Sequence, residues 1–220
     1  MNLINICKAK WNMNVDPVFG KLRKMFLNNT DFTIICNNCW GGYIYRHFGI
    51  PYLSPTVGLY FFAEDYVKFC TNLHYYLSLN LHFISAHESR HYDELIKRKN
   101  ENAIIGVLDD IEVVFLHYSS QQEAYEKWNR RRERVNYDNL IFKFSKMNCC
   151  TEKELALFDA FEARKKFAFV PEQDNNLYRC GINTKLKGTE ILNDTLWFEK
   201  FIDIRRMINC SRVEGDNYFD

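Results

Sequence analysis

Short apolar runs of strand length alternate with segments that open on helix caps, and this alternation constrains the fold more than any other feature. Phe32-Thr33-Ile34-Ile35, Ile111 to Tyr118 (IEVVFLHY), Asn139 to Phe144 (NLIFKF) and Lys166 to Val170 (KFAFV) are dominated by β-branched and aromatic residues and read as strands. Among them, Ser120-Gln121-Gln122-Glu123 and Thr151-Glu152-Lys153-Glu154 match the capping box, in which a hydroxyl and a carboxylate close the first turn of a helix reciprocally. They open one helix running to about Val135 and another through Leu155, Phe158 and Phe161. The pattern predicts an α/β fold: a mostly parallel central sheet with helices on both faces, a three-layer sandwich. The continuous apolar run at Ile111 predicts a central strand covered on both sides.

The remaining segments fill in this frame. Asp16-Pro17 suits a helix start, with Asp as cap and Pro at the first helical position; Phe19, Leu22 and Phe26 then mark one apolar face, and Asn28-Asn29 ends the helix. Tyr43 to Phe48 predicts a short helix stopped by Gly49 and Pro51. Pro51 to Tyr60 (PYLSPTVGLY) predicts an ordered loop. Ala63 to Leu79 predicts a helix with Val67, Cys70, Leu73 and Leu77 as its inner stripe. Leu81 to Ser85 suits a strand, Glu88 to Asn102 a polar excursion, and Trp197, Phe201, Ile204 and Ile208 a last amphipathic helix. The length, 220 residues, fits one domain, with a core over 31–170 and a C-terminal helical extension over 171–220.

Charge is balanced. Twenty-nine basic against 28 acidic residues leave a net +1, which argues against a nucleic-acid binder and gives no reason to expect a membrane-surface protein. No run approaches the ~18 consecutive apolar residues of a spanning helix, and the N-terminal residues do not resemble an export signal. The expectation is a cytoplasmic protein without a transmembrane segment, its eight cysteines reduced. The aromatic share, 16%, is high enough to supply both a Phe-rich core and a pocket for a sugar.

Ligands on parallel sheets bind beyond the carboxyl ends of the strands. Two segments fall there: Cys36-Asn37-Asn38-Cys39-Trp40-Gly41-Gly42 after the first strand, and His117 to Ser120 after the strand at Ile111. The C-x-x-C admits three chemistries. Zinc requires a second pair, and Cys149-Cys150 lacks the spacing. A redox dithiol needs its reactive thiol at a helix N-terminus, and here Trp40-Gly41-Gly42 intervenes. The third reading is a single nucleophile, Cys39, with His117 as its base. The N–H groups of Gly41 and Gly42, with the amides of Asn37 or Asn38, would then face an oxyanion; Ser54 and Thr56 are candidate substrate contacts in the following loop. Against it stands a buried thiol and a strand-end histidine.

A second constellation is Lys127-Trp128-Asn129-Arg130-Arg131-Arg132-Glu133-Arg134. Positions 127, 130, 131 and 134 share one helix face. Arg130, Arg131 and Arg134, with Trp128 and Asn129, suit the phosphates of a nucleotide, of coenzyme A or of a lipid-linked diphosphate. The alternative is a solvated face paired with Glu123, Glu126 and Glu133. His87-Glu88-Ser89-Arg90-His91 matches the H-E-x-x-H string of zinc proteases, but its flanks are not an amphipathic helix and no third ligand is evident, so no metal is assigned.

Three motifs carry a family resemblance: CNNCWGG, the YxxFGIPYLSPTVGLYF that follows, and FLHYSSQQEAYEKWNRRRERVNYDN. Over about Asp31 to Val170 the chain resembles a bacterial family, a domain of unknown function, whose members are labelled exopolysaccharide biosynthesis proteins. The resemblance implies a setting among polysaccharide-synthesis enzymes, not a reaction. The Asn-Cys element is also similar to capsule acetyltransferases with a Gly-Asn-Cys-Gln motif, which bind coenzyme A, although Asn37 stands for the Gly and Trp40 for the Gln. It is similar as well to a papain-like family with an early Cys, a later His and an Arg-Arg-x-x-Arg helix. By position these imply Cys39 as nucleophile, His117 as base and Arg131 to Arg134 as the arginine run. The expected activity is acyl transfer onto a carbohydrate or lipid-linked sugar precursor, with a coenzyme A thioester as possible donor. The alternatives are a glycosyltransferase or sugar-phosphate transferase of the same pathway, or a non-catalytic assembly protein that binds other polysaccharide-biosynthesis enzymes.

Overall fold

The structure is a computed structural model, described for residues 3–174, 177–192 and 194–210. Residues 175–176, 193 and 211–220 of the expected C-terminal extension lie outside the described residues. In chain order the first half comprises α1 (Leu3–Lys24), β1 (Thr33–Cys36), α2 (Trp40–His47), β2 (Leu59–Tyr60), α3 (Ala63–Thr71), α4 (Leu73–Ser78), β3 (His82–Ile84) and α5 (Tyr92–Lys97). The second half comprises β4 (Ile104–Leu108), β5 (Ile111–Phe115), α6 (Gln121–Arg132), β6 (Leu140–Ser145), α7 (Glu152–Ala160), β7 (Lys166–Val170), β8 (Gly181–Asn183), α8 (Asp194–Trp197) and α9 (Ile204–Asn209).

The fold is α/β. A parallel sheet runs in the order β1-β6-β7-β8. Its strands alternate between two apolar environments, as a sheet covered on both faces requires. Ile35, Phe142, Phe144, Ala168 and Val170 meet α3 and α7 through Tyr66, Phe69, Leu155 and Phe158. Ile34, Ile141, Phe167 and Phe169 meet Trp40, Ile44 and Tyr45 of α2 and the C-terminal helices on the other side. Both faces are therefore layered with helix. Tyr66 ties the layers to the sheet: its hydroxyl hydrogen-bonds the carbonyls of Ile35 and Lys143, both at 2.8 Å.

The strand at Ile111 does not join this sheet. All five residues of β5 are buried, but β5 lies inside a second, antiparallel sheet ordered β2-β5-β4-β3. Leu108, Ile111, Val113 and Phe115 extend the core on the α3 side, against Trp128 of α6, while Val114 and Ile105 fill a smaller core with Tyr60, Phe62 and Leu95. A strand with two apolar faces reads alike in either kind of sheet, because burial and not strand direction sets its composition.

Other expectations shift in detail. The stripe Val67, Cys70, Leu73 and Leu77 is buried, but the helix is broken at Asn72 (φ −130°, ψ 41°) into α3 and α4. The last helix is likewise divided, with a 3-10 turn at Phe198–Lys200 between α8 and α9. Thr151 and Glu154 form the expected capping box, and Ser120 accepts from the Glu123 N–H at 3.1 Å.

The largest difference is α1, which begins at Leu3 and passes through Pro17 instead of starting there. Pro17 removes one rung of its ladder. The apolar face marked by Phe19, Leu22 and, in the turn beyond, Phe26 is turned outward and exposed. What docks α1 is the opposite face. An added Cβ on Gly20 would stand 2.8 Å from the Gly49 nitrogen, so only glycine allows this approach. Buried Asp16 accepts from Arg23 at 2.8 Å and Arg46 at 3.3 Å.

Candidate functional site

The segment after β1 is positioned by its two asparagines. Asn37 Nδ2 donates to the Ser145 carbonyl at 2.9 Å and its Oδ1 accepts from the Ser145 N–H at 3.0 Å. The amide thus imitates a backbone and continues the β1–β6 pairing one step past Cys36. The Asn37 carbonyl accepts from the Phe61 N–H at 3.1 Å, which joins the two sheets here.

Asn38 turns inward. Its Oδ1 accepts from the Trp40 N–H at 3.2 Å, satisfying a free donor at the start of α2, and from Lys143 Nζ at 3.1 Å. Its Nδ2 donates to both Asp194 oxygens at 3.1 Å. Lys143 is fully buried and forms an ion pair with Asp194. Ser145, on the same face of β6, accepts from Lys143 at 2.5 Å and donates to Asp194 at 2.6 Å. The ammonium also lies 5.5 Å from the Trp40 ring centre and 5.2 Å from that of Phe169. Lys143, Ser145, Asp194 and Asn38 thus form a closed buried network beneath the CNNCWGG loop. Sequence reading missed it, although a Lys and a Ser on one face of an apolar strand were the available signal.

Cys36 ends β1 and is buried. Its thiol donates to the Asn38 carbonyl at 3.0 Å, and its sulfur accepts from the Gly41 N–H at 3.3 Å. Burial pushes this thiol above its ordinary value. Cys39 is partly exposed and is the N-cap residue of α2. The helix therefore starts directly after Cys39, without the interval expected from Trp40-Gly41-Gly42. Its thiol donates toward the Leu59 carbonyl at 3.8 Å. Burial, with the charges of Cys36 and Asp194 adding to it, pushes its pKa up to about 12. At rest it is a neutral thiol.

Gly41 and Gly42 have a packing reason. A Cβ on Gly41 would come within 3.1 Å of Cys36 Sγ, and one on Gly42 within 3.0 Å of Val57 Cγ1. Ser54 and Thr56 are fully buried and face the strand: Thr56 Oγ1 accepts from the Cys36 N–H at 3.3 Å and lies 2.9 Å from Ser54 Oγ.

His117 lies two residues past the end of β5, a strand of the other sheet, and its backbone approaches the same place. Its N–H donates to the Gly58 carbonyl at 3.1 Å, next to the Leu59 carbonyl that faces Cys39. Its side chain is exposed. Gly58 has φ +81°, and a Cβ there would meet the Tyr118 ring at 3.2 Å. The Tyr118 hydroxyl donates to the Val57 carbonyl at 2.5 Å and accepts from Arg131 at 2.7 Å.

The arginine helix is largely engaged in holding this loop. Arg131 is buried and donates to Val57 at 3.0 Å. Arg134 donates to the Tyr52 carbonyl at 3.2 Å, and Arg132 to the carbonyls of Leu77 and Leu79. Trp128 is in the core against Phe69 and Phe115, and Asn129 is half-buried beside it. Arg130 is exposed. Lys127 forms the expected pair with Glu123.

The His-Glu-x-x-His string is not helical throughout: Ala86–Glu88 is a 3-10 turn and α5 begins at Tyr92. His87 is exposed, whereas His91 contacts buried Asp65 at 2.8 Å. Among the described residues no group of three or more His, Cys, Asp or Glu side chains could hold a metal ion. Nor is any helix among them long and apolar enough to cross a membrane. Two clefts lie away from Cys39. One of about 860 Å³ lies between the end of α1 and α9, with Phe26, His47 and Arg205 on its wall. One of about 400 Å³ lies at the amino end of β6, between His74, Tyr137 and Phe161.

Residues 12–214 match the family model DUF1919, a domain of unknown function. The chain is 34% identical over 170 residues to a protein of Haemophilus influenzae (strain ATCC 51907 / DSM 11121 / KW20 / Rd) described as an uncharacterized protein, covering 77% of this chain and 76% of that one. With almost its whole length matched by the model, the chain belongs to the DUF1919 family.

Proposed function

We propose that the chain is an acyltransferase of bacterial surface-polysaccharide synthesis, with Cys39 as nucleophile and His117 as base. The observation that carries this reading is the convergence on Gly58–Leu59: the Leu59 carbonyl faces the Cys39 thiol and the Gly58 carbonyl holds the His117 backbone. The N-cap position of Cys39 adds to it, because the positive end of a helix favours a developing thiolate. A thiol raised to about 12 does not ionise by itself near neutral pH, so a base must take its proton during attack. Sulfur would bond to the acyl carbonyl as that proton passes to the imidazole, and the leaving group would depart with it. An acceptor hydroxyl would then attack the thioester, giving its proton to the same imidazole and returning the thiol. The motif resemblance suggests a coenzyme A thioester as donor and a carbohydrate or lipid-linked sugar as acceptor, in the cytoplasm, beside other enzymes of the pathway.

Mass spectrometry of the intact chain after exposure to acetyl-coenzyme A tests the proposal. An acetyl adduct on Cys39, absent in Cys39→Ala and slowed in His117→Ala, is the expected result. No adduct, together with unchanged polymer acylation in cells carrying either variant, would sink it. A rise in melting temperature with UDP- or GDP-sugars and none with acetyl-coenzyme A would instead favour glycosyl or sugar-phosphate transfer.

A further inference from the structure

The outer face of α1 is apolar along its whole length. Ile4, Trp11 and Val18, with Met25 in the turn beyond, recur every seventh residue and so lie in one line along the helix. Leu22 and Phe26 widen the line into a stripe. These are large side chains held in water: Trp11 is 64% exposed, Leu22 55%, Phe26 63% and Met25 79%. Isolated exposed apolar residues are ordinary, but a contiguous stripe marks an interaction surface.

Charge says what covers it. α1 carries Lys8, Lys10, Lys21, Arg23 and Lys24 and one acidic residue, Asp16. That acid is on the docked side, buried and bonded to Arg23 and Arg46. Lys10, Lys21 and Lys24 are exposed and lie together along one border of the apolar stripe. The balance of the whole chain conceals this local excess. A second copy of α1 laid on the first would oppose lysine with lysine and offer no acid to pair with it. A bilayer bearing anionic lipid headgroups matches both parts, with side chains entering the acyl boundary and lysines reaching to phosphate.

We propose that α1 docks the protein on an anionic membrane surface, lying in the plane of the interface. The helix does not span: α1 is amphipathic, and no described helix is apolar enough to cross. The Asp16–Arg46 bond and the Gly20–Gly49 contact hold the opposite face to the body, so the stripe is presented on a fixed support. The inference does not depend on the chemistry of Cys39.

The full chain is floated with vesicles of phosphatidylcholine and with vesicles of phosphatidylcholine containing phosphatidylglycerol. Flotation only with the anionic vesicles, with a blue shift of emission that Trp11→Phe largely removes, is expected; Trp40 and Trp128 are already buried and Trp197 is half-buried. Trp11→Glu with Leu22→Glu should abolish flotation without changing the melting temperature, since both positions are exposed. Lys10→Gln with Lys21→Gln leaves the stripe intact and should weaken partitioning by roughly fivefold per charge. Absence of flotation with anionic vesicles overturns the proposal, as does undiminished flotation of the Trp11→Glu/Leu22→Glu variant. A dimer in sedimentation that this variant dissociates, without vesicle binding by the parent, overturns it in favour of a second copy.

Discussion

The ammonium of Lys143 and the carboxylate of Asp194 meet in the interior beneath the CNNCWGG loop, with Ser145 and Asn38 completing their hydrogen bonds. β6 supplies the lysine and serine, the end of β1 the asparagine, and α8 the aspartate. The pair thus joins three distant segments at the carboxyl edge of the parallel sheet. Removing one partner strands the other charge out of water. Lys143→Met should therefore destabilise the protein by about 3–5 kcal/mol, whereas Lys143→Met with Asp194→Leu should recover much of the loss. Thermal unfolding of the two variants checks this, and equal losses in both would show that the ion pair is not the unit that matters.

Cys39 should alkylate slowly near neutral pH. Its thiol is raised to about 12 by burial, so the thiolate fraction is small there and grows about tenfold per pH unit below that value. The rate of iodoacetamide labelling at Cys39, followed by peptide mass spectrometry with exposed Cys7 as the internal reference, should climb steadily with pH. Fast labelling that reaches a plateau near neutrality would mean a thiolate stabilised at rest.

Asp16 makes the docking of α1 acid-sensitive. Burial by itself would raise this carboxyl, but hydrogen bonds from His47, Arg23 and Arg46 outweigh it and hold the group below the usual aspartate value. A folded value below the unfolded one means that the stability is present above the unfolded pKa and lost as pH falls through the folded one. The protection of α1 amides, taken relative to their intrinsic exchange at each pH, should fall below about pH 4, and Asp16→Asn should remove this acid limb at a cost of about 1–2 kcal/mol.

The two neighbouring arginines of α6 should differ sharply. Arg131→Ala removes the guanidinium donor to the Tyr118 hydroxyl and one of the two donors to the Val57 carbonyl, which keeps the Tyr118 hydroxyl, and should cost about 1–3 kcal/mol. Arg130→Ala, at an exposed position, should stay within about 0.5 kcal/mol. Urea unfolding of both separates a loop-holding role from a ligand-binding one. If Arg130→Ala leaves stability unchanged but lowers the affinity for a phosphate-bearing donor, Arg130 binds the phosphate and does not hold the loop.

Much of the architecture was legible in the residues. The strands at Ile34, Phe142 and Phe167 carry enough β-branched and aromatic side chains to declare themselves, and Thr151 with Glu154 marks a helix start by local hydrogen bonding alone. The CNNCWGG segment was legible as the end of a strand, because Thr33–Cys36 is apolar and Gly41-Gly42 permits the close turn into α2. These signals act over a few residues, within reach of a single stretch of sequence.

What depends on distant partners was not legible. Two apolar faces on β5 do not tell a parallel sheet from an antiparallel one. Phe19, Leu22 and Phe26 declared an apolar face, but periodicity gives a face and not its direction; Asp16 and Gly20 turned it outward by meeting Arg46 and Gly49. Arg131 looked like a phosphate ligand until the Val57 carbonyl lay against it. Returning to Lys143, the sequence by itself determined that a lysine stands on an apolar strand, and only tertiary structure supplied Asp194, 51 residues away. A buried charge persists only where a partner of opposite sign is brought to it, and that meeting is made by the fold as a whole.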